Sequence, residues 1–148
     1  MKTIFDRSTR EELIQRINKL NENSVALWGQ MNIFQMLKHC TLWQEMILGK
    51  KQYKQNFIGR LFGKLMLKNA VKDDTPMKRG TPTIPEFKNL PANGDVEAQK
   101  QEWISLIAEH AAFQNPDFVH PFFGKMTKEQ IGYHAYKHID HHLRQFNV

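Results

Sequence analysis

The sequence is poor in the residues that cross-link a chain or carry it through a membrane. Cys40 is the single cysteine among 148 residues, which excludes an intrachain disulfide framework and a cysteine-based zinc cluster. The longest uncharged stretch, Asn23 to Leu37, falls short of the roughly 20 apolar residues that span a bilayer. The N-terminal MKTIFDRSTREEL has no apolar segment after its lysine, so we expect no secretory signal. These absences favour a soluble protein in a reducing, cytoplasmic setting.

Several common catalytic motifs are missing as well. The chain contains no phosphate-binding P-loop, no dinucleotide-binding glycine fingerprint and no recognisable Ser-His-Asp arrangement. His138 is followed by Ile139 instead of glutamate, so the general base of the HExxH zinc proteases is absent. We therefore assign no catalytic residue from sequence.

Composition and length indicate one globular domain over residues 1–148. Hydrophobic residues make up 41% of the chain and charged residues 24%, which is ordinary for a folded domain of this size. The net charge of +6 is concentrated in the middle, since residues 50–88 hold ten basic and three acidic residues. Such a segment could attract phosphates, an anionic membrane or an acidic small molecule.

We interpret the basic middle segment mainly as a solvated surface. We therefore expect no specific nucleic acid partner and no membrane partner. A weaker alternative is nucleic acid binding through KKQYKQNF, which interleaves aromatic and basic residues.

Helix start signals recur along the chain. Capping boxes predict three helix starts, at Ser8–Glu11, Asn32–Gln35 and Thr127–Gln130, and Asp95 caps a further helix. A more basic helix is predicted from about Phe57 to Val71, with Phe57, Leu61, Leu65 and Ala70 among its apolar positions. Four prolines in residues 72–94 predict a long ordered crossover or a mobile loop. With no credible strand pair, we expect an all-α four-helix bundle with a long proline-containing crossover.

Histidines give the clearest chemical signal. Four of the seven lie within nine residues of the last predicted helix: His134, His138, His141 and His142. At 100° per residue they form a stripe along one edge of its apolar face. His138 and His142 are one turn apart, the spacing at which two imidazoles hold one metal ion, and His39 of the second helix is the natural third ligand. A solvated polar edge or hydrogen-bonded core histidines remain the alternatives.

Two segments carry a family resemblance: WGQMNIFQMLKHC around Trp28 to His39, and FFGKMTKEQIGYHAYKHIDHHLRQF at the C-terminus. Together with the length, they resemble the DinB-like (DinB/YfiT-like) superfamily, and more narrowly a branch whose final helix ends His-His-Leu-x-Gln-Phe. The resemblance implies a four-helix bundle with a divalent metal held by His39, His138 and His142. It also implies, from some members, a transferase that joins a low-molecular-weight thiol to a small electrophile.

The expected site chemistry follows from three nitrogen ligands. Such a site leaves a coordination position open, and imidazoles suit zinc or nickel. An open position could lower the pKa of a bound water or deprotonate a bound thiol. His134, His141 and Gln145 are candidates for orienting the ligands or the substrate.

Other residues around the expected site carry less specific predictions. Trp28, Trp43 and Tyr133 could wall a pocket, whereas Cys40 is predicted to be a buried small hydrophobe. The protein could also form a homodimer, which is the oligomeric state to test. The functional alternative to a thiol transferase or a related hydrolase is a non-catalytic bundle that binds a metal or a small molecule.

Overall fold

Five α-helices and one short hairpin make up the computed structural model, which describes residues 1–148. The helices are α1 (Arg7–Ile17), α2 (Ile33–Ile47), α3 (Phe57–Ala70), α4 (Val96–Glu109) and α5 (Lys128–Gln145). The strands are β1 (Val119–His120) and β2 (Gly124–Lys125), and two 3-10 turns occupy Pro85–Phe87 and His110–Ala112. The protein is thus mostly helical, as the sequence predicts. None of the helices combines the length and the apolar character needed to cross a membrane.

Four of the helices share one core. Helix α2 packs against α4 and α5, and α1 packs against the same two helices. The buried hydrophobic side chains form a single cluster, in which Met36, Trp103 and Ile139 come from three different helices. Helix α3 lies at the edge of this packing, where it packs mainly on strand β2 and adds one side chain, Leu67, to the core. The apolar stripes of α2 and α5 therefore meet in the interior, and they bring their histidines with them.

Helix caps confirm most of the predicted helix starts. The capping boxes Asn32–Gln35 and Thr127–Gln130 are both formed, and the Asp95 carboxylate accepts a hydrogen bond from the Ala98 amide. The predicted box Ser8–Glu11 is wrong, because α1 begins at Arg7 with no side-chain cap.

The reason for the earlier start of α1 is the chain that precedes it. The Arg10 guanidinium donates to the carbonyl oxygens of Ile4 and Phe5, and Ile4 is itself fully buried. These contacts hold the chain before α1 in place, so the helix begins at Arg7, one residue before Ser8. Glu11 pairs with Arg7 at 2.7 Å instead of reaching back to a cap.

A two-residue antiparallel pairing corrects the expectation of no strands. Val119 pairs with Lys125 and His120 with Gly124 across the loop Pro121–Phe123. The imidazole Nδ1 of His120 accepts hydrogen bonds from the amides of Phe122 and Phe123, at 3.1 and 3.2 Å. Strands this short show no alternation in sequence, and the side chain of His120 together with packing on α3 holds them.

The crossover between α3 and α4 is anchored at two places. Its 3-10 turn buries Phe87 against the core. Side chains at the start of α2 hold its far end, since Asn32 Nδ2 donates to the carbonyl of Ala92 and Gln35 Nε2 to that of Leu90. These contacts hold the middle of the crossover to the core and its far end to α2.

Candidate metal centre

Two helices bring His39, His138 and His142 together in the interior. Helix α2 supplies His39, while α5 supplies His138 and His142 one turn apart. Their candidate ligand nitrogens all lie within 4.8 Å of one another, and Nε2 of His39 is 3.1 Å from Nε2 of His138. The three side chains are only 3%, 6% and 5% exposed. We call these residues the histidine triad.

The spacing of the triad fits one divalent ion. Two nitrogens that each lie about 2.0–2.1 Å from a tetrahedral zinc are roughly 3.3 Å apart, close to the 3.1 Å between His39 and His138. The donor set is purely imidazole nitrogen, which suits zinc and nickel better than magnesium or calcium. Three ligands leave at least one coordination position for another group.

Gln145 fixes the tautomer of His142. Its side-chain Nε2 donates to the Trp28 carbonyl at 2.7 Å, so its Oε1 faces Nδ1 of His142 at 2.9 Å. An amide oxygen can only accept, so Nδ1 of His142 carries the proton and Nε2 carries a lone pair. Outer partners of this kind orient imidazole ligands in metal sites.

Burial keeps the triad neutral. Desolvation, with a smaller contribution from the neighbouring His141, lowers the pKa of His39 to about 4. Burial and then the other imidazoles lower the pKa values of His138 and His142 well below their usual range. All three therefore offer lone pairs at neutral pH, which metal binding requires.

No carboxylate takes part in the triad. Glu45 pairs with Lys51 at 2.7 Å, and Asp140 pairs with Arg16 at 2.8 Å on the opposite side of α5. A protein general base of the carboxylate type is therefore absent from the site. Acid–base work at this site would have to come from imidazoles or from a bound group.

Aromatic rings close the triad off from solvent. Trp43 stacks on His138 with ring centroids 4.4 Å apart, and Phe87 meets His39 edge-on at 5.7 Å. Tyr53 in turn packs edge-on against Phe87 at 5.3 Å. The crossover and the segment before α3 thus cover one side of the triad.

The other candidate residues lie at different distances from the triad. The ring of His134 is 6.4 Å from that of His138 and packs among Trp43, Phe123 and His120. His141 packs against Trp28 and lines a surface cavity with Arg79. Tyr133 does not reach the site, because its hydroxyl donates to Glu129 on the outer side of α5.

Sequence reasoning missed the rings of Phe87 and Tyr53. Both lie in segments without helical periodicity, where no face of the chain can be assigned to the interior. Cys40 is fully buried, as predicted, and burial raises the pKa of its thiol well above the ordinary value. It therefore packs as a small hydrophobe and offers no thiolate.

The chain matches a known family over most of its length. A family model described as "Protein of unknown function (DUF1569)" matches residues 5–148. No curated protein and no solved structure matches the chain. The matched range includes the whole histidine triad and all five helices, and the chain belongs to the DUF1569 family.

Proposed function

We propose that this protein binds a divalent metal ion, zinc or nickel, through Nε2 atoms of His39, His138 and His142. The observation that carries the proposal is the convergence of three neutral, buried imidazoles from two helices. The fixed tautomer of His142 supports the proposal, because it leaves a lone pair on the other ring nitrogen, Nε2, as a metal ligand needs.

We further propose that the fold is a DinB-like four-helix bundle. The mutual packing of α1, α2, α4 and α5 supports this, as does the origin of the triad in one histidine of α2 and a His-x-x-x-His pair of α5. Helix α3 and the crossover are then an insertion, in which Phe87 of the crossover covers His39.

The reaction proposed for the site is transfer of a low-molecular-weight thiol to a small electrophile. A divalent ion with an open position supplies a thiolate at neutral pH by acidifying a thiol that binds it. Gln145 holds the imidazole of His142 in the ligating orientation, while Trp43 and Phe87 exclude water from the same volume. The lack of a carboxylate near the triad favours this chemistry over hydrolysis that needs a protein base.

Access to the triad requires a movement of the crossover. Phe87 is buried against His39, and Tyr53 backs it. A substrate of the size of a thiol reaches the open position only after Phe87 has moved aside. A Phe87→Ala variant should therefore bind thiols faster than the parent protein.

The same burial favours a second candidate function. A triad that is 3–6% exposed also suits a bundle that holds its metal or a small molecule without turnover. The two functions differ in whether an exogenous thiol enters the coordination sphere.

Metal content tests the first proposal. Protein purified without added metal and without a histidine tag should contain about one zinc or nickel ion per chain by elemental analysis. His138→Ala should lose that metal, whereas His134→Ala should keep it, because both are buried on α5 but only His138 belongs to the triad. Equal metal loss in both variants would show that the triad is not the site.

Thiol binding tests the reaction. In cobalt-substituted protein, a low-molecular-weight thiol should produce a thiolate-to-metal charge-transfer band that His142→Ala lacks. Thiol conjugation to a simple electrophile should then be faster with metal than without. If no thiol in a panel changes the cobalt spectrum, the transferase proposal fails and the non-catalytic bundle replaces it.

A further inference from the structure

One face of α3 is apolar and exposed to solvent. Six large hydrophobic side chains on it are between 48% and 73% exposed: Phe57, Ile58, Leu61, Phe62, Leu65 and Met66. At 100° per residue they cover an arc of about 180°. The other large hydrophobic residues that are exposed lie outside the helices, so this patch, which we call the α3 apolar face, is unique in the chain. A contiguous apolar patch of this kind marks an interaction site.

The orientation of α3 is fixed by its other side. A Cβ atom at Gly59 or at Gly63 would overlap the carbonyl oxygen of Phe122, so the helix backbone lies directly on the hairpin loop. Leu67 is the one large side chain of α3 that is fully buried. Any rotation that hid the α3 apolar face would separate the glycines from the loop and expose Leu67. Of the apolar positions that the sequence predicts for this helix, Phe57, Leu61 and Leu65 therefore face solvent.

A basic border runs along one edge of the α3 apolar face. Arg60, Lys64 and Lys68 lie there, one turn apart on α3, and all three are exposed. Residues 50–72 contain seven basic residues and no acidic one. Arg60 and Lys68 form no ion pair, and Lys64 donates only to the carbonyl of Lys125. These cations are available to an anionic partner.

We propose that the α3 apolar face and its basic border dock the protein onto an anionic phospholipid bilayer. The helix lies in the plane of the membrane, with its hydrophobic arc among the upper acyl chains and its cations against lipid phosphates. This replaces the expectation from sequence of no membrane partner. It does not depend on the metal proposal, because α3 supplies no triad residue.

Charge and side-chain type favour a bilayer over other occupants. A second copy packed antiparallel on the α3 apolar face would bring two basic borders together, and like charges at close range oppose such a dimer. Nucleic acid would complement the charge, but four of the six exposed side chains are aliphatic and offer no ring for base stacking. A bilayer matches both the broad hydrophobic arc and the cations beside it.

Vesicle co-sedimentation of the full-length protein tests the proposal. The protein should pellet with phosphatidylcholine vesicles that contain about one-third phosphatidylglycerol, and much less with phosphatidylcholine alone. Raising the salt from about 0.1 M to about 0.5 M should weaken the binding, because the Debye length shortens. Leu61→Asp together with Leu65→Asp should reduce pelleting to background, and both positions are exposed in the fold.

Two double variants with the same change in net charge distinguish an effect of the basic border from an effect of the overall positive charge. Arg60→Gln with Lys68→Gln should weaken partitioning roughly fivefold for each cation removed. Arg7→Gln with Lys19→Gln removes the same charge from the start of α1 and from the turn that follows it, and should leave partitioning unchanged. Circular dichroism of every variant checks that the fold is retained.

Three results would overturn the proposal. One is the absence of pelleting with anionic vesicles, and another is equal loss in the two charge pairs. The third is a lipid-free dimer in sedimentation velocity that Leu61→Asp with Leu65→Asp converts to monomer, which would identify the α3 apolar face as a contact between copies.

Discussion

At the scale of single residues, two buried glutamines each form a hydrogen bond with a buried histidine. Gln145 links the Trp28 carbonyl to His142, and Gln44 accepts a hydrogen bond from Nε2 of His110 at 2.5 Å. Buried polar groups are costly unless they are paired, so each such pair holds two helices or segments in one arrangement. The consequences are testable at two of these residues.

Gln145→Leu should weaken metal binding without removing a ligand. The variant leaves Nδ1 of His142 with no acceptor, so the ligating tautomer is no longer favoured. Loss of an outer partner of a metal ligand costs about 10–100-fold in affinity. Competition against a chromogenic chelator measures the metal affinity of the variant. Gln101→Leu, which changes an exposed glutamine of α4, is the control. Equal affinities for Gln145→Leu and the parent would contradict the assigned tautomer.

Acid should destabilise the metal-free protein through its buried histidines. Burial lowers the pKa of His110 to about 4 in the folded state, whereas the unfolded chain titrates near 6.5. Between these values the unfolded state binds more protons, so stability is full above pH 6.5 and falls as the pH approaches 4.

The contribution of His110 to this acid sensitivity can be isolated. Between about pH 6.5 and pH 4, protonation of His110 in the unfolded chain lowers the free energy of unfolding by about 1.4 kcal/mol per pH unit. His110→Gln can keep the hydrogen bond to Gln44 but cannot titrate. Urea unfolding as a function of pH should show a shallower slope for the variant. An identical slope would mean that His110 is not neutral in the fold.

At the scale of elements, helical periodicity predicts which side chains of a helix face the interior, but it says nothing of loops and very short strands. The histidine stripe of α5 and the apolar stripe of α2 repeat at helical spacing, so the sequence alone brings His39, His138 and His142 to one interior. The position of Phe87 depends on a crossover that has no period, and the strands of the hairpin are too short to alternate. The outward face of α3 was unpredictable because glycines mark its packed side, and glycine carries no hydropathy signal of its own.

Gly63→Ala should therefore destabilise the protein. On helix propensity alone the change would stabilise α3 by about 1 kcal/mol. The added methyl group would overlap the Phe122 carbonyl oxygen, a backbone atom that can move only with the hairpin loop, and such overpacking costs about 1–3 kcal/mol. Thermal unfolding should show a lower midpoint for the variant. A higher midpoint would show that α3 is not packed on the loop.

At the scale of the whole molecule, the interior between α2 and α5 holds the candidate metal centre, and α3 carries the exposed apolar face. The crossover connects the two, since it leaves α3 and buries Phe87 against His39. The fold thus buries the histidine triad and leaves the α3 apolar face exposed to solvent. The central claim concerns the interior site, because the proposed chemistry rests on it.

Thermal unfolding with and without metal tests that claim most directly. A ligand that binds only the folded state adds RT ln(1 + [L]/Kd) to stability, which is about 2.7 kcal/mol at a metal concentration of 100 Kd. For a domain of this length that raises the midpoint by about 5–10 °C. We predict that zinc or nickel restores this shift in chelated protein, that His134→Ala keeps it and that His138→Ala abolishes it. An unchanged midpoint in the chelated parent protein on adding metal, together with no bound metal by elemental analysis, would contradict the account.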